Sequence, residues 1–130
     1  MTVPVQVDLD HRCQNVGGEP LVFHCHHYNT YLQRTIQDAE SVDSTAVLIG
    51  AAAEVAYSQL TKAFADEGLA DPEARKALAV EIYSWAGFGT FDLSAVGPEG
   101  GSVETPNSHY AMAWKVKWGK ASDPVCHFAS

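Results

Sequence analysis

His24, Cys25, His26 and His27 are consecutive in the stretch LVFHCHHYNTYLQRTIQDAE, and Cys126 and His127 form a second Cys-His pair near the other end of the chain. Imidazole and thiolate together favour zinc, iron or copper over magnesium or calcium. They are also the side chains that carry nucleophilic and acid–base chemistry. On a helix each residue turns about 100° from the last. Measured against the apolar stripe of Leu21, Tyr28, Leu32 and Ile36, Cys25 falls at the centre, with His24 and Asn29 on its shoulders. His26 and His27 point away from it. The expected ligand pocket is therefore lined by His24, Cys25, Tyr28 and Asn29, with Trp114 opposite and Cys126 at one end. Neighbouring helical residues diverge too far to share an ion by themselves. A tetrahedral metal site would need His24 and Cys25 joined by Cys126 and His127.

A plainer reading stands beside each of these. A buried cysteine is usually a small hydrophobe, a histidine at the edge of a core is usually a satisfied polar group, and surface imidazoles need no purpose. Trp114 and Trp118 at strand spacing are more often core than ligand box. Other chemistries find no foothold. Ser44, Ser58 and Ser84 lack a glycine elbow, and there is no phosphate loop, dinucleotide fingerprint or C-x-x-C pair. Cys13, Cys25 and Cys126 are widely spaced and odd in number, which suits free thiols or ligands better than a disulfide framework.

The elements that must position these residues follow from period and punctuation. VPVQVDL, residues 3–9, alternates and reads as a strand with Val3, Val5, Val7 and Leu9 on one side. VGGEP breaks the chain, and Pro20 is placed to open a helix over 21–40. SVDS caps a second helix over 44–67, which stops at Gly68 and buries Ile49, Ala52, Ala56, Leu60 and Ala63. Asp71 and Pro72 start a third helix, residues 72–86, ended by Gly87, with Leu78, Ile82 and Trp85 on its apolar face. The period then changes to two. TFDLSAV and SVETP flank GPEGG as a hairpin. HYAMAWKVKWG reads as a half-buried strand with Tyr110, Met112, Trp114, Val116 and Trp118 on one side. Asp123 and Pro124 begin a short final helix whose positive end favours a thiolate at Cys126.

These elements make one α+β domain over residues 1–130: three N-terminal helices on a small antiparallel sheet, then the start of a C-terminal helix. Sixteen acidic residues face eight Lys and Arg, a net charge of −8. Without a basic surface the chain is not expected to bind nucleic acid or an anionic membrane. The longest apolar run is too short to span a bilayer, and the N-terminus is not a secretory signal, so the expected location is cytoplasmic.

The order of helices, hairpin and strand, with WAGFGTFDLSAVGPEGGSVETPNSHYAMAW and PVCHFAS, resembles the 4-vinyl-reductase domain family across residues 20–130. The resemblance implies an α+β fold, an internal pocket for a hydrophobic small molecule, and dimerisation through helices. The family's closing helix and strands, with the cysteine-rich zinc segment some members carry, have no counterpart before Ser130. Two expectations stand open: the sequence is a piece of a longer chain, or a second chain completes the domain. The helix-close small residues Ala51, Ala52, Ala53 and Ala56 also suggest a homodimer or hetero-oligomer. The leading functional expectation is small-molecule binding or sensing, with a metal- or thiolate-dependent enzyme using His24, Cys25, Cys126 and His127 as the alternative. An assembly subunit is a third reading.

Overall fold

The computed structural model describes residues 3, 5–11, 13–21, 24–39, 43–122 and 125, together with all their side chains except those of Glu19 and His26. The expected final helix, with Cys126 and His127, lies outside them. The described chain is α+β, with four helices and two small antiparallel sheets.

The first sheet comprises β1 (Val5–Asp8), β2 (Cys13–Val16) and β3 (Glu19–Pro20) in that order. Asp8 shapes the β1–β2 turn by accepting hydrogen bonds from the backbone N–H groups of Asp10 and His11, at 3.0 and 2.9 Å. The β2–β3 turn is Gly17–Gly18, both at positive φ, 59° and 84°. Two such residues between paired Val16 and Glu19 satisfy a type I′ hairpin, which L-residues with a Cβ resist. The predicted break at VGGEP is thus a hairpin. Pro20 pairs with Asn15 instead of opening a helix, and Leu21 continues the pairing by donating its N–H to Gln14.

Helix α1 is shorter than expected, His26–Gln37. Helix α2 (Ser44–Asp66) starts where its cap predicts, with the Asp43 carboxylate accepting from the Ala46 N–H at 3.1 Å. Helix α3 (Pro72–Trp85) does the same through Asp71 and the Ala74 N–H at 2.9 Å. At about 34 Å long, α2 serves two regions. Its C-terminal half joins the sheet and α3 in a core of Val3, Val16, Ala63, Leu78 and Ile82. Its N-terminal half packs against α1. Trp85, expected inside, is 43% exposed.

The hairpin between 90–96 and 102–106 is reduced to the two-residue strands β4 (Val96–Gly97) and β5 (Gly100–Gly101), plus one bridge between Asp92 and Glu104. The largest correction follows it. Residues 109–119 are not a strand: His109–Trp118 is helix α4. Ser108 Oγ accepts from the Ala111 N–H, and Gly119 ends the helix at φ 79°. Ala113 and Trp114 are buried, whereas Met112 and Val116 are exposed. A strand would have put Trp114 and Val116 on one face; a helix separates them by about 200°.

Candidate functional site

α1 and α4 pack together through aromatic rings and cations. The Arg34 guanidinium lies 5.6 Å from the Trp114 ring and 5.8 Å from that of Trp118. Trp118 meets Tyr31 edge-on at 5.5 Å, and Lys117 lies 4.7 Å over Tyr31. The two tryptophans, four residues apart on one helical face, are 4.7 Å apart. Trp114 therefore belongs to the core between α1 and α4, as the plainer reading of the tryptophans held.

The face of α1 that turns inward is unusually polar. Thr30 and Gln33 are buried, while Tyr28, Tyr31 and Leu32 are about half exposed. Gln33 is accommodated because its side-chain N–H donates to the Val125 carbonyl at 2.9 Å. Asn29 Nδ2 lies 3.4 Å from His109 Nε2, tying α1 to the start of α4. That start is itself fixed by the His109 N–H donating to the Phe88 carbonyl at 2.9 Å.

Between α1 and α2 runs a groove of about 250 Å³ lined by Asn29, Leu32, Gln33, Ile36, Leu48, Ala51, Ala52, Val55 and Tyr110. Its walls are aliphatic except at Asn29, Gln33 and the Tyr110 phenol. The Tyr110 ring on its wall lies beside Phe88, with centroids 6.2 Å apart. Phe88 in turn meets Tyr83 of α3 at 5.8 Å. Burial pushes the Tyr83 phenol up to about 12, since ionisation would put a charge in this aromatic cluster.

The residues predicted for the site divide. Asn29 lines the groove. His24 and Tyr28 stack at 4.2 Å, but both are exposed and neither lines it. Cys25 is not at the centre of a buried stripe. It is the residue before the helix, in extended conformation at φ −70° and ψ 162°, and it is exposed. The helical angles used for His24 and Cys25 do not apply, because the helix begins at His26. Cys126 and His127 lie outside the described residues. Among the described residues no three His, Cys, Asp or Glu side chains are grouped to hold a metal ion.

Gln33, Leu48, Val55 and Tyr110 line the groove without having been expected there. Leu48 and Val55 lie on the flank of α2 beside Ala52, so a wider apolar stripe on α2 was the available signal. Tyr110 was hidden by the assignment of its segment to a strand. No family model matches the chain, and no match was found among curated proteins or solved structures.

Proposed function

We propose that the chain binds a small, largely apolar molecule in the α1–α2 groove, with the ligand's polar group at the Asn29 end. The reading rests on one observation: a concave surface with aliphatic walls and few convergent polar groups, Asn29, Gln33 and Tyr110. In that combination the aliphatic walls take up a ligand's apolar part and the polar groups fix its orientation. Apolar burial supplies the affinity, at about 25 cal/mol per Å² removed from water. The resemblance to 4-vinyl-reductase domains implies the same ligand class, although the walls are not those expected from the His-Cys cluster.

The test is fluorescence titration with N-phenyl-1-naphthylamine, an apolar probe. Binding to the parent chain should be saturable. Ala51→Phe fills the groove from an exposed helical position and should abolish binding, while Val116→Phe on the far side of α4 should not change it. Undiminished binding by the Ala51 variant would place the ligand elsewhere.

A further inference from the structure

We infer a second binding site, for a small monocarboxylate with an apolar body, in the groove where α2 turns into α3. It shares no lining residue with the groove between α1 and α2 and stands independently of the ligand reading given to that one. The groove spans about 730 Å³, within the roughly 300–1,000 Å³ of most ligand sites. Tyr57, Leu60 and Phe64 of α2 and Leu69 beyond its end supply apolar wall, and Arg75 of α3 completes it.

The turn between the helices holds Arg75 in place. Gly68, at φ 63°, lets α2 close with two nested hydrogen bonds. The Leu69 N–H donates to the Phe64 carbonyl at 2.9 Å, and the Gly68 N–H to the Ala65 carbonyl at 3.1 Å. The Leu69 carbonyl, fixed by this turn, accepts from Arg75 Nε at 2.8 Å. The guanidinium then lies 5.5 Å from the Phe64 ring, against the aromatic wall. With Nε engaged, both Nη groups remain for a carboxylate, which a guanidinium grips with two parallel N–H···O bonds.

Charge selects the occupant. Sixteen Asp and Glu face eight Lys and Arg, yet among the described residues Arg75 is the one charged side chain that lines this groove. Arg34, Lys62 and Lys76 each pair with a carboxylate three or four residues away; among the described residues no such pair forms at Arg75. The acids near it in sequence are engaged elsewhere. Asp71 caps α3 by accepting from the Ala74 N–H at 2.9 Å, and Glu73 holds Lys76. Asp66 and Glu67 line a separate cavity beside Gly17 and Gly18. One cation balances one negative charge, so a monocarboxylate fits where a phosphate dianion would leave charge unmatched in an acidic protein. Arg75 is exposed, and an exposed ion pair alone is worth little. The apolar walls therefore supply most of the affinity, and Arg75 supplies the choice of charge. A peptide segment would bring backbone amides that these walls leave unpaired.

Isothermal titration of the full chain with 2-naphthoate should show saturable binding. It should be at least about fivefold tighter than with 2-naphthamide, which keeps the rings and lacks the charge. 2-Naphthyl phosphate should bind no more tightly than 2-naphthoate. Arg75→Met should erase the preference for the acid. Lys115→Met, which removes an equal charge from an exposed position outside the groove, should retain it. Ala65→Phe fills the groove from an exposed position of α2 and should weaken naphthoate at least about tenfold, while Ala51→Phe in the other groove should leave it unchanged. Circular dichroism reports the fold of each variant. Should Arg75→Met lose its helical signal, salt takes its place: raising sodium chloride from about 0.02 M to about 0.5 M should weaken naphthoate and spare naphthamide. Absence of saturable naphthoate binding, equal affinity for acid and amide, or a tighter naphthyl phosphate would overturn the site. So would a preference that survives Arg75→Met or fades with Lys115→Met, indifference to Ala65→Phe or to salt, or loss of naphthoate binding in Ala51→Phe.

Discussion

Asn29 in α1 and His109 at the head of α4 meet at 3.4 Å, amide nitrogen to ring nitrogen, across eighty residues of chain. For the Asn29 amide to donate, His109 Nε2 must be unprotonated, which places the ring proton on Nδ1. The pair fixes the Asn29 amide, one of three polar groups on the walls of a largely aliphatic groove.

Asn29 should accordingly discriminate ligands by their polar group. Asn29→Leu is expected to weaken 1-naphthol binding by up to about tenfold, the effect of one hydrogen bond of about 0.5–1.5 kcal/mol. Naphthalene binding should hardly change. Isothermal titration with both compounds checks this, and equal losses for the two would separate Asn29 from ligand orientation.

Trp114 and Val116 should behave oppositely, as a helix requires. Trp114→Ala removes a buried ring that packs on Trp118 and lies by Arg34, and should cost about 3–5 kcal/mol. Val116→Ala, on the exposed side, should change stability by no more than about 0.5 kcal/mol. Urea denaturation measures both. Comparable losses would restore the strand that sequence alternation suggests.

That ambiguity shows where sequence reading stops. α2 and α3 were legible because Asp43, Asp71 and Pro72 mark their starts and Gly68 and Gly87 follow their ends. α4 was not, because Tyr110, Trp114 and Trp118 satisfy a four-residue period as well as a two-residue one. Alternation then drew Met112 and Val116 to the wrong face. Ser108 and Gly119 were the cap and stop that favoured a helix. At the candidate site only Asn29 was found. Cys25 falls outside the expected pocket because α1 begins at His26, so a helical periodicity from residue 21 does not describe it.

Gly89 and Gly50 should respond to alanine with opposite signs. At Gly89, φ is +124° and an added Cβ would stand 2.6 Å from the Asn107 carbonyl oxygen. Asn107 is held in turn by its side-chain oxygen accepting from the Thr90 N–H at 2.7 Å. Gly89→Ala should therefore destabilise by about 1–3 kcal/mol. Gly50 lies in α2 with nothing within 4 Å of such a Cβ, so Gly50→Ala should stabilise by about 0.5–1 kcal/mol. Thermal denaturation of the two variants distinguishes them from the parent chain.

Tyr83 gives a pH signature. Its folded value of about 12 lies above the ordinary 10.0 because of burial, so between these values the native state holds a proton that the unfolded state releases. Stability is undiminished by this group below about pH 10 and falls as pH rises towards 12. Phenolate absorbance should show a step near pH 12 that Tyr83→Phe removes. A spectrum that keeps that step in the variant would assign it to another tyrosine.

The most direct measurement of the groove as a ligand site is a methyl NMR titration with N-phenyl-1-naphthylamine. Leu32, Ile36, Leu48 and Val55 line the groove, whereas Leu78 and Ile82 sit in the separate core beneath the sheet. Saturable shifts confined to the first four are the expected result. Shifts centred on Leu78 and Ile82, or none at saturating probe, would contradict ligand binding between α1 and α2.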